Sequence, residues 1–119
     1  IKLILKKEGD NICYRGIKEM LDKIVSNLVS NGITYTENGG EVILDINNER
    51  LIVTNRPGEI DASIIDSIFE PFVTSADNKK SGQKGHGLGL YVAKYFAESM
   101  GFTLSVKSEA GEVQFILER

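Results

Sequence analysis

The sequence predicts an α+β fold, a two-layer sandwich in which about three helices cover one face of a mixed, mostly antiparallel sheet. Two observations carry this prediction. Apolar residues recur with helical spacing over a long segment that begins near Ile17. Elsewhere, β-prone segments come in pairs joined by short polar turns, and helices do not alternate regularly with strands. Strand pairs of this kind form hairpins, and hairpins build antiparallel sheets.

The first half of the chain combines short strands with one long helix. Residues 1–6 and 11–14 are predicted as strands on either side of the turn "EGDN". The helix runs from Ile17 to about Tyr35, because its apolar residues fall on one face, and it ends at "ENGG". The segments "EVILDI" and "RLIVTN" flank the polar "NNE", which predicts a hairpin.

The second half combines two helices with a closing hairpin. The stretch "ASIIDSIFEPF" predicts a short helix that is ended by Pro71. A second long helix is predicted from Leu88 to Met100, and Gly101 stands where a C-cap glycine belongs. The segments "FTLSVKS" and "GEVQFILE" then pair as the last two strands.

Length and composition narrow the class of protein. The chain has 119 residues, the usual size of one domain, and it begins inside the alternation "IKLIL", so we expect a domain excised from a longer chain. A net charge of −3 argues against non-specific nucleic-acid binding, which needs a basic surface. No apolar run is long enough for a transmembrane helix. The lone cysteine, Cys13, excludes an internal disulfide, and there is no His/Cys cluster for zinc.

Two asparagines occupy interior positions of the first long helix, where asparagine is unfavourable. Asn27 and Asn31 are one turn apart and lie at the border of the apolar face, although asparagine disfavours helix interiors. One interpretation is that they hydrogen-bond neighbouring loops. The other is that an amide oxygen binds a hard cation such as Mg²⁺. The spacing alone leaves both interpretations open.

Glycines alternate directly before the second long helix. Gly85, Gly87 and Gly89 permit close backbone approach, and a helix N-terminus attracts anions, so the pattern predicts a phosphate site. A flexible hinge would have the same pattern. The polar stretch before them carries Lys79, Lys80 and Lys84, and is either a lid over phosphates or a solvated loop.

Three motifs resemble one known family. "NLVSNGITYT" is similar to the N box of histidine-kinase ATP-binding domains, whose usual form is NLxxNAxKYT. "IFEPF" resembles their phenylalanine box, and "GHGLGLYVAKYFAESMGFTLSVKS" resembles their second glycine box with its helix and strand. Order and spacing agree over nearly the whole chain. The resemblance implies the Bergerat ATP-binding fold of the GHKL superfamily and binding of ATP with Mg²⁺.

On the adenine and metal side, the resemblance assigns roles to individual residues. Asn31 matches the asparagine that binds Mg²⁺, and Asn27 matches the first asparagine of the N box. Tyr35 matches the aromatic residue near the adenine.

On the phosphate side, the three alternating glycines match those that surround the triphosphate, with residues 73–84 as the ATP lid. His86 belongs to the lid in this interpretation, since the phosphoacceptor histidine of the family lies on a separate dimerisation domain. The complete predicted nucleotide site is Asn27, Asn31, Tyr35, Asn55, Ile60, Phe72, Lys84, Gly85, His86, Gly87, Leu88, Gly89 and Leu90, with Asn31 as metal ligand.

The first glycine box departs from its usual form, DxGxGI. Counting back from the phenylalanine box places Ile60 at its isoleucine and Asn55 at its aspartate, with Pro57 and Glu59 at the glycines and Gly58 displaced by one. An amide accepts the adenine amino group as a neutral partner, so the hydrogen bond falls from about 1.5–3 to about 0.5–1.5 kcal/mol. The expected cost is roughly tenfold in affinity, which tolerates ATP.

Other departures affect polar contacts and chemistry. Thr34 replaces the phosphate-reaching lysine of the N box, and Val113 replaces a threonine of the last strand. Asn27 stands where related chaperone ATPases carry the glutamate that activates water, and an amide cannot act as a base. Efficient ATP hydrolysis is therefore not expected, whereas phosphoryl transfer to a histidine depends more on positioning and charge neutralisation.

The resemblance implies the catalytic domain of a two-component sensor histidine kinase, cytoplasmic and monomeric when isolated, from a parent that is membrane-anchored in most such kinases. Its partners would be ATP, a histidine-bearing dimerisation domain and, indirectly, a response regulator. A degenerate, non-catalytic interaction module is the alternative, motivated by the altered glycine box. A serine kinase of the anti-sigma-factor type is a third hypothesis, which the phenylalanine box and the absent glutamate disfavour.

Overall fold

The computed structural model describes residues 2–9, 12, 14–36, 39–71 and 89–119, apart from the side chain of Tyr35. Within these ranges the chain forms five strands and two α-helices. In chain order the elements are β1 (Lys2–Lys7), α1 (Lys18–Tyr35), β2 (Glu41–Ile46), β3 (Arg50–Arg56), α2 (Gly89–Ser99), β4 (Thr103–Glu109) and β5 (Glu112–Glu118).

The five strands form one mixed sheet in the order β1-β2-β3-β5-β4. β1 and β2 are parallel, and every other neighbouring pair is antiparallel. Buried residues alternate with more exposed ones along β5, as expected for a sheet with one covered face. The predicted α+β sandwich and both predicted hairpins, β2–β3 and β4–β5, are therefore confirmed.

The core lies between the sheet and the two helices. Ile24 and Leu28 of α1 are fully buried, as is Val53 at the centre of the sheet. Ala93 and Ala97 of α2 are also fully buried, and their small side chains let α2 approach closely. Burying these apolar side chains supplies most of the free energy that holds the helices on the sheet.

The strand predicted at residues 11–14 is wrong for the two residues there that are described. Ile12 and Tyr14 belong to no strand. Tyr14 instead packs against Phe102 and donates its hydroxyl to the carbonyl of Asn47 at 2.6 Å. β1 therefore has no hairpin partner among the described residues and pairs in parallel with β2, across the crossover that contains α1.

The short helix predicted within residues 62–72 is also wrong, so the described chain has two α-helices instead of about three. Only Ile65–Ser67 is helical, as a single 3₁₀ turn. The Asp61 side chain accepts hydrogen bonds from the backbone N–H and hydroxyl of Ser63, which favours a turn over an α-helix. The following bonds span three residues rather than four, including Ser67 N–H to the carbonyl of Ile64.

The end of α2 agrees with the sequence. Gly101 has φ +84°, and the N–H groups of Gly101 and Phe102 bond the carbonyls of Glu98 and Ala97. This is the Schellman pattern, which confirms Gly101 as the C-terminal glycine. The first residue of the predicted helix, Leu88, lies outside the described residues.

The described part of the chain contains neither a membrane-spanning helix nor a cluster of metal-ligating side chains. Neither α1 nor α2 combines the length and hydropathy that crossing a bilayer requires. No three His, Cys, Asp or Glu side chains among the described residues are close enough together to hold a metal ion. Cys13 lies outside the described ranges.

Candidate functional site

The first asparagine of α1 connects the two helices. Asn27 is half-buried, and its Nδ2 donates to the carbonyl oxygen of Gly89 at 3.0 Å. Gly89 is the first residue of α2, so this hydrogen bond holds the start of α2 against the middle of α1. Asn27 therefore has the structural role that one interpretation of the sequence assigned to both asparagines.

Asn31 differs from Asn27 in its contacts. It lies one turn later on the same side of α1 and is half-buried. Its side chain has no hydrogen-bond partner among the residues that the structure describes. The amide oxygen can therefore bind a ligand without breaking a contact in that part of the chain, and amide oxygens suit hard cations.

Gly32 allows α1 to approach the sheet at one point. A Cβ at this position would lie 3.2 Å from Cγ1 of Val42 and 3.7 Å from Cβ of Asn55. Glycine in a helix interior costs about 1 kcal/mol relative to alanine. The close packing of α1 on the sheet at Gly32 offsets that cost. It also places Gly32, the residue after Asn31, directly over Asn55.

Asn55 is the most buried polar residue described, at 2% exposure. It lies on β3, opposite Val42 of β2 and Val113 of β5, and neither neighbour carries a hydrogen-bonding side chain. No described residue pairs with its side-chain amide. Leaving a buried polar group unpaired costs about 1–3 kcal/mol, so a ligand that pairs with the amide would recover this energy.

The loop after β3 is fastened to the β4–β5 hairpin. The N–H of Gly58 donates to the carbonyl of Gly111 at 2.9 Å, and the N–H of Ile60 donates to Oγ of Ser108 at 2.9 Å. The Arg56 guanidinium forms an ion pair with Glu112 at the base of the loop. These contacts attach the loop to the hairpin, although Pro57 and Glu59 occupy the positions where the family pattern has glycines.

Gly58 faces the Asn55 amide directly. A Cβ at Gly58 would lie 2.4 Å from Nδ2 of Asn55, closer than a real contact allows, and 3.4 Å from the Asn55 carbonyl oxygen. The absence of a side chain at Gly58 is what leaves room for the amide.

We expect Gly58→Ala to lower the free energy of unfolding by about 1–3 kcal/mol, because the added methyl group overpacks a buried contact. The side-chain amide signals of Asn55 in an ¹⁵N–¹H correlation spectrum should shift at the same time. Glu59→Ala, in the exposed position next to it, is the control and should stay within about 0.5 kcal/mol. Unchanged Asn55 signals in Gly58→Ala would contradict the contact.

One carboxylate beside the site has a shifted pKa. Two hydrogen bonds from Ser63, first from its backbone N–H and then from its hydroxyl, lower the pKa of Asp61. Asp61 therefore stays ionised at neutral pH, which suits a turn-forming acceptor and not a proton donor.

The other predicted site residues are placed as follows. Leu90 is 8% exposed and belongs to the core, while Ile60, in the loop after β3, is half-buried and packs against the core. Tyr35 is the last residue of α1. The predicted site residues outside the described ranges are Phe72, Lys84, Gly85, His86, Gly87 and Leu88, together with the lid at 73–84. The structure therefore brings Asn27 to Gly89, and Gly32, the residue after Asn31, to Asn55.

Four residues that shape this site were not among the site residues predicted from the sequence. Gly32 could have been found, because a glycine inside a strongly periodic helix is unfavourable and needs a packing reason. Gly58 was noted only as a displaced glycine. Ser108 and Gly111 carry no local signal for their contacts to the loop, since those contacts join residues 48 or more positions apart in the chain.

Comparisons with known proteins found a family model and relatives that are similar to this chain. A family described as histidine kinase-, DNA gyrase B- and HSP90-like ATPases matches residues 16–118. The sensor protein CutS of Streptomyces coelicolor is 33% identical over 87% of this chain and 28% of its own length. The sensor histidine kinase YkoH of Bacillus subtilis is 32% identical over 92% of this chain and 25% of its own length.

Solved structures show the same fold. The catalytic domain of the histidine kinase ThkA superposes with a TM-score of 0.80 at 22% identity, covering 98% of this chain and 78% of that one. The mycobacterial sensor histidine kinase MprB gives 0.77 at 22% identity, covering 98% and 80%. Full-length ShkA in complex with AMPPNP gives 0.75 at 24% identity, covering 98% of this chain and 25% of that one. The chain spans about a quarter of the length of the curated relatives that it matches.

Proposed function

This chain belongs to the family of histidine kinase-, DNA gyrase B- and HSP90-like ATPases, and we propose that it is the ATP-binding catalytic domain of a two-component sensor histidine kinase. The buried amide of Asn55 beneath Gly32, which has no hydrogen-bond partner among the described residues, carries the proposal, because a purine base would supply such a partner. The sensor kinases among the relatives and the order of the three sequence motifs support it.

The nucleotide would lie across α1, from Asn55 at the base to the start of α2 at the phosphates. Asn55 would hold the purine in a site whose floor is the apolar pair Val42 and Val113. Asn27 would fix the spacing between the helices through its hydrogen bond to Gly89. Gly85, Gly87 and the lid residues Lys84 and His86 would surround the triphosphate, and Tyr35 and Phe72 would complete the site.

Asn31 fits a magnesium ligand, because its half-buried amide has no partner in the described part of the chain. When bound, Mg²⁺ neutralises phosphate charge. We expect the remaining ligands to come from ATP and water, since no acidic cluster accompanies Asn31 in the described residues.

The reaction would transfer the γ-phosphoryl group to a ring nitrogen of a histidine on a separate dimerisation domain. A P–N bond forms as the bond from the γ-phosphorus to the bridging oxygen of ADP breaks. A neutral imidazole attacks with its own lone pair, so the domain needs to position the phosphoryl group more than it needs a base. Asn27 in place of a carboxylate fits this, because an amide does not activate water.

The partners follow from the same proposal. ThkA has been solved in complex with the response regulator TrrA. We propose that the parent of this chain likewise acts on a response regulator, after phosphorylation of its own dimerisation domain. The domain would act on the cytoplasmic side of a membrane-anchored parent, would be monomeric when isolated, and would bind no nucleic acid, given its net charge of −3.

Isothermal titration tests the proposal. Mg·ATP should bind the 119-residue chain, and chelating Mg²⁺ with EDTA should weaken binding by about tenfold or more. Ser30→Ala, on the exposed side of α1, is the control and should bind normally. Absence of heat at about 1 mM nucleotide, for the wild type and for Asn55→Asp alike, would contradict nucleotide binding.

A second function has one observation in its favour. Val113 places an apolar side chain directly beside Asn55, at a position where the family pattern has a hydroxyl. Together with Pro57, Glu59 and Thr34, it is consistent with a degenerate domain that acts as an interaction module. Such a module would lose no signalling in Asn31→Ala, whereas the kinase would.

A further inference from the structure

The amide of Asn55 can present either of two hydrogen-bonding groups to a base. A carboxylate only accepts hydrogen bonds, whereas an asparagine accepts at Oδ1 and donates from Nδ2. No described residue hydrogen-bonds either end. The neighbours that face the side chain are the apolar Val42 and Val113 and the glycines Gly32 and Gly58.

These neighbours leave both amide orientations open. Nδ2 points toward Gly58, which has no side chain to distinguish one end of the amide from the other. Oδ1 and NH₂ have nearly the same size, so turning the amide by about 180° changes its chemistry and almost nothing of its packing.

The two purine classes differ at the atom that this residue would contact. Adenine carries an amino donor at position 6, whereas guanine and hypoxanthine carry an oxo acceptor there. Two acceptors facing each other in a buried site repel, so a carboxylate at this contact disfavours the 6-oxopurines. An amide pairs with an amino group through Oδ1 and with an oxo group through Nδ2.

We propose that this site binds 6-oxopurine nucleoside triphosphates about as well as it binds ATP. The inference rests on the proposed function, because it assigns the base contact of the nucleotide to Asn55. The phosphoryl-transfer chemistry would be the same for both classes, since the base is remote from the γ-phosphate. Asn55 thus acts as a specificity-determining residue that broadens the choice of phosphoryl donor.

The test compares ATP with inosine triphosphate, which has the oxo group at position 6 and lacks the 2-amino group of guanine. Dissociation constants for Mg·ATP and Mg·ITP are measured by calorimetry, independently of any phosphotransfer. In the wild type the two should agree within about threefold. In Asn55→Asp, ATP should bind about tenfold more tightly and the preference for ATP should rise to about 10- to 100-fold.

Asn47→Asp is the matched control. Asn47 lies in the β2–β3 turn, where its Oδ1 accepts hydrogen bonds from the N–H groups of Glu49 and Arg50, and a carboxylate keeps that role. Its ATP-to-ITP ratio should equal that of the wild type. A wild type that already prefers ATP by tenfold or more, or a ratio that Asn55→Asp leaves unchanged, would overturn the inference while leaving ATP binding intact. If neither nucleotide bound the wild type or Asn55→Asp, the proposed function itself would fail.

Discussion

Replacing Leu28 with alanine should lower the free energy of unfolding by about 2–5 kcal/mol, a large effect for a single truncation. Leu28 is fully buried on α1 and belongs to the cluster that joins both helices to the sheet. The truncation removes apolar contact and leaves a cavity that the neighbouring side chains fill only in part.

Urea denaturation followed by circular dichroism measures this effect. The transition midpoint of Leu28→Ala should fall by about 1–2 M. Ile33→Ala removes a comparable side chain from the same helix at a position that is 45% exposed, and should change the midpoint far less. Equal effects of the two substitutions would show that α1 does not bury the face that the structure assigns to it.

Local patterning was sufficient to predict most of the fold. The 3.6-residue period of the apolar residues identified α1 to within one residue of its observed ends, Lys18–Tyr35. The two hairpins followed from polar turns between β-prone segments, and Gly101 followed from helix-capping chemistry. In each case the signal is local, and residues close in sequence determine the structure.

The incorrect predictions concern partners that are distant in sequence. β1 is parallel to β2, and 33 residues separate the end of β1 from the start of β2. No short turn therefore joins the two strands, and the sequence carries no local signal that they pair. The stretch "ASIIDSIFEPF", residues 62–72, has helical apolar spacing, yet Asp61 and Ser63 compete for the backbone and favour turns in its described part. Tyr14 is placed by Asn47 and Phe102, neither of which is close to it in the chain.

The same distinction between local and distant contacts applies to the candidate site. The N box and the first glycine box led to Asn27, Asn31 and Asn55 by resemblance, and the structure places Gly32, the residue after Asn31, against Asn55. The sequence did not predict that Gly58 makes room for the Asn55 amide, because that contact depends on how the loop folds back. The altered glycine positions in the sequence were therefore not sufficient to predict the conformation of the loop after β3.

Asn31→Ala should lower phosphoryl transfer by about 100-fold or more without destabilising the domain. The residue is half-buried and has no hydrogen-bond partner among the described residues, so truncation breaks no side-chain hydrogen bond there. Alanine is also the better helix former, by up to about 0.7 kcal/mol. A large loss of activity at equal or higher stability would separate a role in metal binding from a role in folding.

The measurement is phosphorylation of the histidine-bearing dimerisation domain by the parent kinase, with magnesium varied at fixed ATP. Asn31→Asp keeps an oxygen ligand and should retain more activity at saturating magnesium than Asn31→Ala, whereas Ser30→Ala, exposed on the same helix, should behave as wild type. Unaltered transfer and unaltered magnesium dependence in Asn31→Ala would exclude Asn31 as the metal ligand, whereas absence of transfer by the wild type itself would favour the non-catalytic module. The difference between the two asparagines of α1 makes this outcome decisive, because Asn27 already has a structural partner in Gly89 and Asn31 has none in the described chain.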